Sequence, residues 1–267
     1  MCAFWKRALF PQAHRCAFCS RAFARRAGNT VTGVSLCAQC TAEIGWIAPP
    51  RCEQCGRQLP ADTAIATDGI DPPDATGVVD AAAEVDAAHI CGDCERFSGV
   101  PLVTNRAVVQ YTPLARELVS VFKYRGRQSL AVPLGLLMAE LVQREYRRQL
   151  PHVVTYVPLH ARREAERGFN QAALLAAVIA RQLRLPLHHL LARDIDTPKQ
   201  SKRGRQQRLA SLDRAFSVNV PVRRNFYRQV TLLIVDDIYT TGATLRACAR
   251  ELSQLGVPRL LAVTFAR

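Results

Sequence analysis

Eight of the ten cysteines in this chain fall into four Cys-x-x-Cys pairs: Cys16/Cys19, Cys37/Cys40, Cys52/Cys55 and Cys91/Cys94. A disulfide framework has no reason to repeat that spacing, whereas two thiolates separated by two residues fold around one tetrahedral metal ion. The pattern reads as zinc. Between Cys19 and Cys37 lie 17 residues, the usual reach of a ribbon that brings two more thiolates to a four-cysteine centre. The second pairing spans 35 residues from Cys55 to Cys91 and requires an insert to be looped out. Eight thiolates leave no open coordination position, so one or two structural Zn2+ ions are expected, holding a segment too poor in apolar side chains to hold a core of its own. His14 and His89, beside the pairs, read as solvated neighbours. Cys2 is unpaired, and Cys248, on an apolar helical stretch, reads as a small buried hydrophobe.

The insert explains itself by composition. Residues 61–89 are rich in Ala and Asp, contain Pro72-Pro73, and hold seven acidic residues with no Lys or Arg. Such a segment has no apolar periodicity to fold around and closes as a loop at a cost that grows slowly with length, so an acidic disordered insert is expected. Setting it aside raises the formal charge from +14 for the whole chain to +21 over the other 238 residues. The longest apolar stretch, Leu130 to Val142, is broken by Pro133, Gly135 and Glu140, well short of the roughly 20 residues that cross a bilayer. The residues from Met1 to Arg7 show no apolar core of a secretory leader, and a cytoplasmic location is expected.

From about Val100 the chain alternates apolar runs with helical patterns. Val153 to Val157 is a β-branched run, followed by a helical face of Leu174, Leu175, Val178, Ile179 and Leu183 with Asn170 as its cap. Thr231 to Val235 is a second apolar run, then a loop, a helix from about Thr244 to Leu255, a Gly256 stop and a last strand near Leu260 to Phe265. Repeated strand–helix–strand units predict a parallel sheet in an α/β domain over 101–267, preceded by a small zinc-ribbon domain over 1–100. Ligands of such sheets bind at the carboxyl ends of the strands.

At the carboxyl end of the second run stands Asp236-Asp237-Ile238-Tyr239-Thr240-Thr241-Gly242-Ala243-Thr244, leading into a helix. A loop turning at Gly242 with threonines around it offers N–H groups and hydroxyls to a phosphate at the helix N-terminus. Two carboxylates just before it would repel that phosphate, so they face hydroxyls or a metal. A sugar phosphate satisfies both halves, with ribose hydroxyls on Asp236 and Asp237. The alternative is an ordinary strand-to-helix turn with a threonine cap. Neither G-x-x-x-x-G-K-[ST] nor G-x-G-x-x-G occurs, which disfavours P-loop and dinucleotide enzymes.

The stretch Leu232 to Thr244 resembles the phosphoribosyl pyrophosphate (PRPP) motif of type I phosphoribosyltransferases. Together with the four cysteine pairs, Phe122-Lys123-Tyr124-Arg125-Gly126, Val157-Pro158-Leu159-His160, Arg167-Gly168-Phe169-Asn170-Gln171, Lys199-Gln200-Ser201-Lys202 and Thr264-Phe265-Ala266-Arg267, it resembles the ComF (ComF/GntX) competence family. The resemblance implies a double zinc ribbon followed by a phosphoribosyltransferase-like domain that takes PRPP with Mg2+. It places the ribose hydroxyls on Asp236 and Asp237 and the 5′-phosphate on Tyr239, Thr240, Thr241, Gly242, Ala243 and Thr244. Pro158, Leu159 and His160 would form the pyrophosphate loop, and Lys199 to Arg208 a lid. The family's association with natural transformation further implies handling of single-stranded DNA, with DNA-uptake helicase or channel proteins as partners.

The lid stretch has five bases in ten residues and no acid. Lys199 and Arg203 are the candidates to neutralise a departing pyrophosphate; gripping a nucleic-acid backbone is an equal alternative, and a solvated loop is the third. Arg162, Arg163 and Arg167 have Glu164 and Glu166 among them and read either as part of that basic surface or as local ion pairs. Phe122, Tyr124 and Phe169 stand beside bases, a combination that stacks single strands, although core packing is the commoner fate of such rings. Two functions remain open: PRPP binding in the service of DNA uptake, and transfer of the phosphoribosyl group to a base or other acceptor. A base pocket beyond the last strand has few residues before Arg267, which favours binding.

Overall fold

A computed structural model describes residues 14–23, 30–31, 33–60, 89–96, 103–195, 215–219 and 224–267. The lid stretch with Lys199 and Arg203, the acidic insert up to residue 88, and Cys2 lie outside the described residues. The first ribbon contains β1 (His14–Arg15), β2 (Ala22–Phe23), β3 (Thr30–Val31), β4 (Val34–Ser35) and α1 (Ala38–Glu43). The short helix α2 (Gly92–Glu95) carries the last cysteine of the second.

The α/β part follows in order: β5 (Val103–Val109), α3 (Pro113–Tyr124), α4 (Ala131–Glu145), β6 (Val153–Tyr156), α5 (Ala161–Arg167) and α6 (Gln171–Leu183). After these come β7 (Leu191–Arg193), β8 (Phe216–Val218), α7 (Arg224–Tyr227), β9 (Thr231–Ile238), α8 (Ala243–Ser253) and β10 (Arg259–Ala266). The main sheet has the order β5-β10-β9-β6 and is parallel throughout, as the strand–helix alternation predicts. Capping falls where the sequence places it: the Asn170 side chain accepts from Ala173 N–H at 3.3 Å and donates to the Val157 carbonyl at 3.1 Å, tying α6 to the end of β6.

Side chains of β9 alternate between two cores. Leu233 and Val235 join one with α4 and α6, while Leu232 and Ile234 join the other with α8. Strict period 2 inside an all-apolar run is the mark of a strand covered on both faces.

The ribbons depart from the expectation of a segment without a core. Phe18, Leu36 and Ile44 are fully buried in the first core, and Cys52, Cys55 and Cys94 belong to the second. The two metal knuckles therefore straddle edge strand β5, one on each face. Main-chain bonds seal the junction: Ile47 N–H to Val108 O at 3.3 Å, Gln110 N–H to Gly45 O at 2.7 Å and Asn105 N–H to Gln54 O at 2.7 Å. Gly56 sits so close to β5 that a Cβ there would lie 2.7 Å from the Asn105 carbonyl oxygen. An open parallel edge is a liability that proteins cover, and here the ribbon covers it. Each large apolar side chain buried in this way contributes about 1.5–3 kcal/mol, an energy that neither part gains alone.

Candidate functional site

Each cysteine tetrad forms one cluster, Cys16, Cys19, Cys37 and Cys40 in the first and Cys52, Cys55, Cys91 and Cys94 in the second, with all sulfurs of a cluster within 4.8 Å of one another. Across the pairs, Cys19 Sγ lies 3.7 Å from Cys37 Sγ and Cys55 Sγ 3.6 Å from Cys91 Sγ. Zn–S bonds of about 2.3 Å in a tetrahedron put sulfurs about 3.8 Å apart, while a disulfide needs about 2.05 Å. The donor set fits structural zinc. Burial opposes ionisation of Cys16, yet backbone N–H groups of Cys19, Cys37 and Phe18 aimed at its sulfur bring the thiol down to about 7, poised to become a thiolate ligand. No histidine joins either cluster.

The sheet brings most of the predicted ligand residues to one end. Parallel pairing of β6 with β9 sets Tyr156 opposite Val235, so Pro158, Leu159 and His160 emerge beside Asp236 and Asp237. His160 caps α5, its Nδ1 accepting from Arg162 N–H at 3.3 Å. Asp237 is buried and pairs with Lys123 Nζ at 2.7 Å; its own N–H donates to Asp236 Oδ1 at 2.8 Å. Asp236 is pushed up to about 7, first by desolvation and then by the adjoining Asp237 charge, with Lys123 and Arg193 pulling the other way.

The phosphate loop turns as its glycine requires. Gly242 has φ +74°, and a Cβ there would run into the Tyr239 hydroxyl and lie 2.8 Å from Arg246 Nη1. Arg246, buried one turn into α8, donates to the Thr241 carbonyl at 2.6 Å and braces the loop from behind. Thr241 Oγ1 accepts from Ala243 N–H at 3.4 Å, while Gly242 itself gives α8 no side-chain cap. The helix N-terminus is thus left ready for an anion beside two carboxylates.

Lys123, Arg193 and Arg246 were not assigned to this site from the sequence, because each arrives from a different element. The only sequence signal is the lone lysine in the last turn of α3 and a base one turn after Gly242. Strands β7 and β8, which flank the segment with Lys199 and Arg203, pair antiparallel with Leu191 opposite Val218, and Arg193 in β7 is close enough to lower Asp236. Of the aromatics, Phe122 is fully buried and packs 5.9 Å from the buried Phe169 ring, so these two serve the core. Tyr124 stays 61% exposed with Arg167 stacked 5.1 Å over its ring. Arg162 pairs with Glu166 at 3.1 Å, the local arrangement weighed against a basic surface. Cys248 is fully buried in α8, as its apolar surroundings suggest. Among the described residues no helix is long and apolar enough to cross a membrane.

Comparisons with known proteins agree with both halves of this arrangement. A family model described as a double zinc ribbon domain matches residues 5–95. The competence protein ComFC of Bacillus subtilis is 34% identical over 172 residues, covering 62% of this chain and 67% of that protein. Competence protein F of Haemophilus influenzae is 31% identical over 179 residues (65% and 76%), and the DNA utilization protein YhgH of Salmonella typhimurium 32% over 176 residues (64% and 75%). Among solved structures, a purine phosphoribosyltransferase from Pyrococcus horikoshii aligns at a TM-score of 0.32 and 17% identity, covering 51% of this chain and 82% of that one.

Proposed function

Because the chain belongs to the ComF family of competence proteins, we propose that it is a PRPP-binding protein that serves the handling of single-stranded DNA during uptake. The observation that carries the PRPP reading is the Asp236–Asp237 pair standing directly before an uncapped helix N-terminus with Gly242 in the left-handed region. Carboxylates accept from vicinal hydroxyls, and the loop N–H groups meet the 5′-phosphate. Asp237 is already paired with Lys123, so the two acids fit hydroxyls better than they fit a bare divalent ion. Mg2+ would arrive on the pyrophosphate oxygens, where it neutralises charge. Lys199 and Arg203 are proposed to close over that pyrophosphate from the segment between β7 and β8.

The DNA half rests on the names carried by the relatives and on the net charge of +14. A phosphoribosyl transfer to an acceptor is the second reading; pyrophosphate release in the presence of a nucleobase panel would establish it.

Isothermal titration with PRPP, with and without Mg2+, tests the first reading. Saturable binding is expected, and Asp236→Ala combined with Asp237→Ala is expected to remove it; wild-type protein that ignores PRPP sinks the assignment. For the DNA half, affinity for a labelled single strand is expected to fall steeply with salt and to weaken when Lys199, Lys202 and Arg203 become Ala.

A pH dependence follows from Asp236. Its native pKa of about 7 lies above the unfolded value of about 3.9, so this group favours the folded state at low pH and that contribution is lost as pH rises towards 7. Ligand binding runs the other way, since ribose hydroxyls need the ionised carboxylate. Affinity for ribose 5-phosphate is expected to increase between about pH 6 and pH 8. The ligand's own phosphate titrates near pH 6, so the comparison is with Asp236→Asn, in which the part of the increase centred near pH 7 should vanish.

A further inference from the structure

The carboxyl ends of β5, β10 and β9 open into a cleft of about 470 Å³ that no predicted ligand residue other than Tyr239 and Thr240 accounts for. Its walls come from both parts of the chain: Arg57 and Gln58 from the second ribbon, Gln110 and Tyr111 after β5, Thr240 after β9 and Arg267 after β10. Room for a second ligand therefore does not depend on residues beyond the last strand, because the ribbon supplies the opposite wall. The volume suits one small molecule rather than an extended groove.

The lining chemistry is specific. None of the lining residues is acidic, while two are arginines. Arg57 has a carboxylate partner in Asp93 at 2.8 Å. Arg267 has none among the described residues: its guanidinium lies 4.4 Å over the Tyr239 ring, and its Nε and Nη1 are buried without a hydrogen-bond partner. A second flat cation, Arg116, lies 5.3 Å over the Tyr111 ring. Arginine–aromatic plates of this kind favour planar, negatively charged ligands.

The two glutamines add a directional edge. Gln110 Nε2 donates to Gln58 Oε1 at 2.9 Å, and the same oxygen accepts from Ala48 N–H at 3.2 Å. The Gln58 oxygen is thereby occupied, which leaves the Gln58 amide as donor beside the Gln110 oxygen as acceptor. A donor next to an acceptor complements the –CO–NH– edge of an imide ring.

We propose that this cleft is a second ligand subsite, next to the phosphate loop, for a small planar ring that carries an imide edge and a negative charge. Orotate is the probe that has both features, and uracil is its uncharged counterpart. The proposal rests on the phosphoribosyl reading only for the identity of the neighbouring ligand; the binding test below is independent of it.

Equilibrium dialysis of labelled orotate and uracil against the zinc-loaded full chain, with and without saturating PRPP, decides the matter. Saturable orotate binding is expected, at least about tenfold tighter than uracil. Gln110→Leu and Arg57→Gln should each weaken it about tenfold while PRPP affinity and melting temperature stay unchanged. Neither ring binding at about 10 mM while PRPP binds overturns the cleft and spares the loop. Orotate binding that depends on Gln110 in a protein that ignores PRPP does the reverse. Orotate binding indifferent to both variants overturns the assignment. So does an oligothymidylate whose affinity, unlike that of orotate, falls in Gln110→Leu, since the cleft then holds a base of a DNA strand.

Discussion

Chelating the zinc, or replacing Cys52 by serine, is expected to unfold the whole chain and abolish PRPP binding in one transition. The ribbon is part of the main fold: Cys52, Cys55 and Cys94 share a core with Leu232, Ile234 and Ala262 of the central strands. Asn105 Nδ2 donates to the Cys55 carbonyl at 3.1 Å, and Arg106 reaches Glu53 Oε2 at 2.6 Å, so β5 and the second knuckle hold each other in place. The same centre reaches the ligand loop, because the Tyr239 hydroxyl is held up at about 12 first by burial and then by the Cys55 charge. Structural zinc contributes about 10–16 kcal/mol in small sites, more than or equal to the about 5–15 kcal/mol by which whole domains are stable. Metal analysis near two zinc ions per chain, circular dichroism and PRPP titration across a chelator series check this together. Loss of both ions with an unchanged sheet melt and unchanged PRPP affinity would refute it.

Replacing Lys123 by methionine is expected to cost about 3 kcal/mol and lower the melting temperature by roughly 6–12 °C. Lys123 Nζ is the cation 2.7 Å from Asp237, and both side chains are largely buried. Removing it leaves two adjoining carboxylates at the end of β9 without their nearest counter-charge, and Asp236 should rise further. Methionine retains the packing of the stem, so the loss reports charge rather than volume. Adding Asp237→Asn to Lys123→Met should recover most of the stability, since the pair rather than either member balances the site. PRPP affinity should not recover in the double variant, because the ribose has lost a carboxylate. Thermal melts of the two single variants and the double variant, followed by titration, separate these outcomes. Additive losses would show that the two residues act independently.

How much was legible follows from where each signal lies. The cysteine spacing exposes both metal centres, and the order of acids, threonines and glycine from Asp236 to Thr244 exposes the loop, because knuckles and loops are built from residues close in sequence. The runs at Val153 and Thr231 mark β6 and β9, although the second extends to Ile238 and carries both aspartates within the strand. Lys123 was legible only as part of a family pattern. Its role depends on α3 ending over β9, a contact more than a hundred residues away in sequence. Phe122 and Phe169 look like Tyr124 in the sequence, each an aromatic beside a base, and only packing separates the two buried rings from the exposed one.

The sequence by itself determined the chemistry: four thiolate pairs for zinc, a parallel α/β pattern, and a phosphate loop behind two carboxylates. Tertiary structure alone decided how these parts depend on one another. The ribbon straddles β5 and closes the sheet edge, Lys123 and Arg193 set the charge balance at Asp236 and Asp237, and a cleft opens between Gln58 and Arg267. The physical reason is range. Coordination knuckles, turns and strand periodicity are local and written in consecutive residues, whereas edge covering, buried ion pairing and cavity shape arise from surfaces that meet only when distant segments pack.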